Sequence, residues 1–228
     1  MRIVYAARVN TTDRRPIRSR DHKVWIAAAH ALAKRGVSAN GISVFGMLAC
    51  IGAGIAFAMT GQFSGWEARA LWIGGALLVQ IRLICNMLDG MVAIERGIAS
   101  PVGELYNEIP DRVSDMAALI GLGYAAYSEV AGGYLAAALA VFVAYVRAMG
   151  KAAGAPNDFR GPMAKQQRMF LATLAAVFMG LAPDAWKQTF WSGWSVPSVV
   201  LAIICVGCVI TAIRRILHAA GMLRSRTA

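Results

Sequence analysis

Six long apolar blocks, at about residues 43–61, 70–93, 113–129, 131–147, 167–183 and 195–213, constrain this 228-residue chain more than any other feature. Each is close to the length a helix needs to cross a hydrocarbon layer of roughly 30 Å. The apolar residues run as continuous blocks instead of one-sided stripes, which suits helices exposed to lipid. With 58% hydrophobic and 15% charged residues and a mean hydropathy of +0.54, the chain has too little polar surface to clothe a water-soluble domain of this size. The expected fold is all-α: a polytopic membrane protein of six transmembrane helices in one domain over 37–228, preceded by a basic cytosolic segment over 1–36. The N-terminus is basic but has no apolar run before Gly36, unlike a cleavable signal peptide. Cys50, Cys85, Cys205 and Cys208 all fall inside apolar blocks, which fits small packing residues better than disulfides or a metal knuckle.

Lysine and arginine set the expected orientation. Arg2, Arg8, Arg14, Arg15, Arg18, Arg20, Lys23, Lys34 and Arg35 precede the first block, and only Arg69 lies between the first and second. Arg147, Lys151, Arg160, Lys165 and Arg168 flank the loop between the fourth and fifth, and Arg214, Arg215, Arg224 and Arg226 follow the sixth. The alternate loops hold Glu67, Glu129, Asp184 and Lys187, with Trp66, Trp186, Trp191 and Trp194 as an interfacial belt. Six spans with both termini cytosolic satisfy this pattern, as in a multi-pass protein of a bacterial inner membrane. Residues 21–35 form a candidate amphipathic helix in the cytosolic interface, with Trp25, Ala28, Ala29 and Leu32 on one side and Gly36 as its stop. The formal charge of +11 gathers on this same side, facing membrane lipids. No aromatic residues are interleaved with it for base stacking, so no nucleic-acid partner is expected.

The second block is interrupted towards its end by Gln80, Arg82, Asn86 and Asp89, so this half must face protein or water. Asn86 and Asp89 are three apart and share a helical face; Asn107 and Asp111, four apart, do the same on the next helix. A short connection between antiparallel helices brings the four oxygen-bearing side chains together, an arrangement suited to Mg2+ or Mn2+. Gly90 lets a ligand approach the backbone and Ala93 keeps that face shallow. Ser100 and Pro101 read as the N-cap and first position of the next helix, and Pro110 as a break within it.

The spacing Asn86-x2-Asp89-Gly90-x2-Ala93-Ile94-x8-Gly103-x3-Asn107-x3-Asp111 resembles the signature D-x2-D-G-x2-A-R-x8-G-x3-D-x3-D of the CDP-alcohol phosphatidyltransferases. Every interval agrees and five of the eight signature residues are kept. Val37 to Gly46 is similar to the family's P-N-x-x-T-x-x-G at the first span, and Tyr145 to Met169 occupies the place of its basic acceptor region. The resemblance covers roughly residues 36–215. It implies transfer of a substituted phosphate from CDP-diacylglycerol, or another CDP-alcohol, to the hydroxyl of a small polar or phosphorylated alcohol, with release of CMP. It further implies a centre of two divalent ions on Asn86, Asp89, Asn107 and Asp111, with Asp111 as catalytic base. Asn40, Ser43, Gly90, Ala93, Ser100 and Gly103 would line the CDP-lipid site, and Arg147, Arg160, Lys165 and Arg168 would grip the acceptor.

Three positions depart from the signature: Asn86 and Asn107 replace aspartates, and Ile94 replaces the arginine. Glu104, Glu108, Asp111 and Asp115 lie on one helical stripe, so a glutamate, Glu108 first, is a candidate extra metal ligand. Arg96 is the candidate for the phosphate contact that Ile94 lacks. A second reading keeps the fold without the chemistry, as a membrane protein that binds lipid or a partner. The sequence leaves open the acceptor and the choice between monomer and homodimer.

Overall fold

The computed structural model describes residues 22–97, 101–187 and 193–227. Arg2 to Arg20, Ser100 and Trp191 lie outside the described residues, as does the side chain of Glu104. The architecture is all-α: α1 Lys23–Lys34, α2 Ala39–Met59, α3 Gly65–Glu95, α4 Pro101–Tyr124, α5 Val130–Ala152, α6 Lys165–Leu181 and α7 Val196–Thr227. Short 3-10 turns at Thr60–Gln62 and Asp184–Trp186 join α2 to α3 and follow α6.

Local signals explain several of the helix ends. Ser38 caps α2 by accepting from the Gly41 N–H, and Gly36 stops α1 with φ of +74°, a conformation glycine adopts without strain. α4 begins on Pro101, as its sequence predicts, but continues through Pro110 instead of breaking there. The Ser114 hydroxyl donates to the Pro110 carbonyl at 2.6 Å within the same helix. The expected third span also ends early. Ala125 to Ser128 form a turn, pinned where Thr60 Oγ1 accepts from the Ala126 N–H at 2.9 Å and the Ser195 hydroxyl donates to the Tyr127 carbonyl.

The six long helices close into a ring in the order α2, α3, α6, α7, α5, α4, each packed on the next. The interior is built largely from alanine, including Ala53, Ala76, Ala118, Ala136, Ala140, Ala172 and Ala175, while Phe45, Leu48, Ile55, Leu77, Phe170 and Val206 point outwards. A soluble protein places these classes the other way round; lipid removes the penalty for large apolar residues outside, and small residues allow helices to approach. Gly54 on α2 and Gly121 on α4 mark the tightest crossing: a Cβ at Gly121 would lie 2.2 Å from the Gly54 carbonyl oxygen. Gly123 and Gly133 do the same for α4 and α5, and Gly75 admits the Phe57 ring. α1 packs its apolar face, Trp25, Ala28, Ala29 and Leu32, onto Cys85, Leu88 and Val92 of α3.

Ala39–Gln62, Gly65–Glu95, Val130–Ala152 and Val196–Ser225 are long and apolar enough to cross a membrane. The remaining two helices differ from that pattern for local reasons. α4 carries its acidic stripe in its first half, and α6 is 17 residues long and begins on Lys165.

The tight crossing yields a direct test. Gly121→Val should destabilise the detergent-solubilised protein by about 2–3 kcal/mol, because the clash is with backbone and no rotamer relieves it. Gly74→Ala, on a helix position with nothing within 4 Å of the new Cβ, should leave the thermal unfolding midpoint unchanged or slightly raised.

Candidate active site

The polar residues of α2, α3, α4 and α6 meet inside the ring, near the C-terminal end of α3 and the N-terminal ends of the other three. On α3, Arg82, Asn86 and Asp89 follow at i, i+4 and i+7 and so share one face; on α4, Asn107, Asp111 and Ser114 do likewise. The two helices run antiparallel, and their side chains pair as rungs. Asn86 Nδ2 donates to Asn107 Oδ1 and to Asp111 Oδ1, both at 2.9 Å. One turn earlier on α3, Arg82 donates through Nη2 to Asp111 Oδ1 and through Nε to Ser114 Oγ at 2.9 Å. From α6, Lys165 Nζ also donates to Asp111 Oδ1. Three of the four expected metal-site residues are therefore in direct contact.

The fourth, Asp89, is buried one turn beyond Asn86. Its Oδ2 accepts from the Ser43 hydroxyl of α2 and its Oδ1 from the Gly90 N–H, both at 2.5 Å. Ser43 and Gly90, expected in the nucleotide site, thus adjoin Asp89. Asn40 lies one turn before Ser43, half-buried on the same face of α2. Ala93 is half-buried against the apolar cluster that includes Leu88 and Val92, and Gly103 lies in the first turn of α4. Arg96 is elsewhere: its Nη1 donates to the Val37 carbonyl at 3.2 Å and lies 3.5 Å from that of Gly36, fastening the α1–α2 turn to the end of α3.

Glu108 is likewise not in the oxygen cluster. Its carboxylate is bridged by Arg112 Nη2 and by Arg147 Nη2, the latter at 2.5 Å. Two guanidinium groups satisfy it, so no inward rotation is needed to neutralise it. Arg147 in turn lies over the Phe159 ring, 5.3 Å from its centroid. Among the described residues no group of three or more His, Cys, Asp or Glu is close enough to hold a metal ion.

The four expected acceptor residues separate. Lys165 joins the cluster from α6, whereas Arg147 on α5 reaches Glu108. Arg160 is exposed beside His218, 3.3 Å away, with its carbonyl accepting from Arg215 Nε at 2.9 Å. Arg168 is sealed in the interior: it is 1% exposed, donates through Nη2 to Asp115 Oδ2, and through Nη1 to the Met163 carbonyl at 2.9 Å. It faces the helix packing and not a space an acceptor could enter. Asp111–Lys165 and Asp115–Arg168 form two successive ionic rungs between α4 and α6, spaced i, i+4 on one helix and i, i+3 on the other.

Arg82 is the principal residue that spacing alone did not mark. Its side chain is completely buried, and a Cβ at Gly46 of α2 would stand 2.9 Å from its Nη1. A signal for it was present: an arginine four residues before Asn86 in an apolar block shares that residue's face and must be neutralised inside the protein. Ser114 carries no such signal.

The rung of Asp115 and Arg168 predicts a specific imbalance. Arg168→Met should strip Asp115 of its buried partner and destabilise the protein by about 3–5 kcal/mol, while Arg168→Met with Asp115→Leu should recover much of the loss. Thermal unfolding of the solubilised variants reads both.

No family model matches the chain. A phosphatidylinositol phosphate synthase of Mycobacteroides abscessus is 26% identical over 164 residues, 69% of this chain and 70% of the relative. That of Streptomyces avermitilis is 26% identical over 199 residues, 81% and 73% of the two chains. Among solved structures, Mycobacterium tuberculosis phosphatidylinositol phosphate synthase with CDP-DAG bound superposes with a TM-score of 0.69 at 22% identity, covering 87% of this chain and 94% of the other. A crystal structure of the same synthase in complex with manganese and citrate gives 0.68 at 23% identity, covering 86% and 88%. The chain thus shares the fold of this synthase and is similar in sequence to the phosphatidylinositol phosphate synthases over more than two thirds of its length.

Proposed function

We propose that the chain catalyses transfer of a phosphatidyl group from CDP-diacylglycerol, or a similar CDP-alcohol, to the hydroxyl of an acceptor, releasing CMP in phospholipid synthesis. The observation that carries this reading is the meeting of Asn86, Asn107 and Asp111, with Asp89 one turn along α3, at family spacing inside the ring of helices. Supporting it, the relatives are phosphatidylinositol phosphate synthases and the M. tuberculosis structure holds CDP-DAG.

The donors fit a hard divalent cation such as Mg2+ or Mn2+, since all are oxygens. Among the described residues no basic side chain pairs with the Asp89 carboxylate, and Asn86 lies one turn before it on α3. Two amides and few carboxylates suit an ion whose remaining positions are filled by water and substrate phosphate. When bound, a divalent ion supplies screening of the diphosphate and stabilises the charge that develops on the departing CMP. The chain's own residues do the rest. Asp111 Oδ1 is occupied by Arg82, Lys165 and Asn86, which leaves Oδ2 to accept the acceptor's hydroxyl proton. The acceptor oxygen then bonds to the phosphatidyl phosphorus as the bond to the CMP oxygen breaks. Ser43 and Gly90 hold the Asp89 carboxylate in place, with Asn40, Ala93 and Gly103 beside the CDP-lipid. Lys165 and Arg147 stand where they can grip a phosphate on the acceptor.

We further infer that α4 and α6 cross the bilayer with the other four long helices, because their polar residues turn into the ring, and that α1 lies along the cytosolic face. The end formed by α1, the α5–α6 connection and the end of α7 is rich in Lys and Arg and would face the cytosol. The opposite end is joined by Thr60, Ala126, Tyr127 and Ser195, and by Arg69 with Asp184 at 3.2 Å. There the Lys187 hydrogen bond holds the Asp184 carboxyl below the usual carboxylate range.

Two measurements check this reading. Purified protein in liposomes supplied with CDP-diacylglycerol, Mn2+ or Mg2+ and a panel of polar alcohols should release CMP, and Asp111→Asn should reduce release by about three orders of magnitude with the fold retained. CMP release that persists in that variant assigns the proton to another group; none with any acceptor supports the lipid-binding alternative. In cells, cysteines introduced beside Arg160 should react only with reagents that reach the cytosol, and cysteines beside Trp186 with impermeant reagents outside; the reverse pattern removes the orientation.

A further inference from the structure

The charge at the centre of the site is already balanced by its own side chains. Asp89 and Asp111 carry two negative charges, and Arg82 and Lys165 carry two positive ones. Four aspartates at the signature positions, facing the same two cations, would leave two negative charges to be met by metal. Here two of those positions are Asn86 and Asn107, which instead bond to each other and to Asp111.

The cations are built into the site on its Asp111 side. Arg82 is 0% exposed, held at Nε by Ser114 and given room by Gly46, while its Nη1 has no hydrogen-bond partner among the described residues. Lys165 is held where it is by the adjoining Asp115–Arg168 rung, one turn along both helices. Asp89 differs, since among the described residues only a hydroxyl and a backbone N–H donate to it.

We propose that Arg82 and Lys165 stand in the place of a second divalent cation at Asp111, so that this chain holds a single divalent ion, on the Asp89 side. Coulomb repulsion is the reason: a guanidinium and an ammonium on one carboxylate oxygen oppose a doubly charged ion at the same carboxylate, and neutral amides offer it no compensating charge. Arg82 is on this argument a positioning residue that sets the charge and geometry of Asp111. The inference rests on the oxygen cluster being the metal site of the proposed function, and its test needs neither donor nor acceptor.

Full-length protein in lipid nanodiscs is titrated with Mn2+ alone, and free Mn2+ is counted by electron paramagnetic resonance. The wild type should bind one ion per chain, and Arg82→Gln with Asn107→Asp should bind two. Arg82→Gln alone should tighten the first site by at least about tenfold, as a nearby like charge is removed. Two ions on the wild type, or none, overturn the proposal, as does a folded double variant that still binds one. Should loss of Arg82 prevent folding, Lys165→Gln with Asn107→Asp decides: two ions support it and one overturns it. One ion on a chain that releases no CMP would refute the transferase reading and leave this inference standing.

Discussion

Asp111 is the point on which the interior of the ring depends. Its carboxylate receives Arg82 and Asn86 from α3 and Lys165 from α6, and so joins three helices through one oxygen. The charged groups are costly to bury alone, and loss of Asp111 would leave Arg82 without its carboxylate in a medium of low dielectric. The register of α3 against α4 follows, because Asn86 with Asn107 and Arg82 with Ser114 align only when Arg82 reaches Asp111.

The remainder of the bundle is arranged so that this polar interior can exist in lipid. Alanine and glycine at the crossings let six helices close tightly around it, and large apolar side chains face outwards. At the basic end, the Asp115–Arg168 rung and the Arg96 contacts to the α1–α2 turn fix the helix termini around the cluster. At the opposite end, the links are mainly hydroxyls to backbone groups, with the exposed ion pairs of Asp184. The two ends differ in chemistry because only one of them must hold charges in place.

Basic residues consequently have several kinds of work here. Arg160 is exposed and Arg96 ties backbone carbonyls together. Arg168 and Arg82 are structural members of the interior, and Arg147 is split between Glu108 and the Phe159 face. The family resemblance assigned Arg147, Arg160, Lys165 and Arg168 to a common role, because charge sign is visible in a sequence and the direction of a side chain is not.

Periodicity and composition by themselves determined the all-α membrane class, six long helices in the right order, and the placing of Asn86 with Asp89 on one helical face and of Asn107 with Asp111 on the next. The physical reason is that these depend on short-range quantities: the length of an apolar run, and offsets of three or four that one helix turns into one face. The start of α4 at Pro101 and the stop of α1 at Gly36 were legible for the same reason, since cap chemistry is local. Only the tertiary structure decided which charges meet. That Glu108 goes to Arg112 and Arg147, that Arg168 is closed off by Asp115, and that Arg82 and Lys165 converge on Asp111 depend on how α3, α4, α5 and α6 are rotated about their axes. Those rotations are set by contacts between residues far apart in the chain, such as Gly46 against Arg82 and Gly54 against Gly121, where the absence of a side chain fixes how near two helices can come.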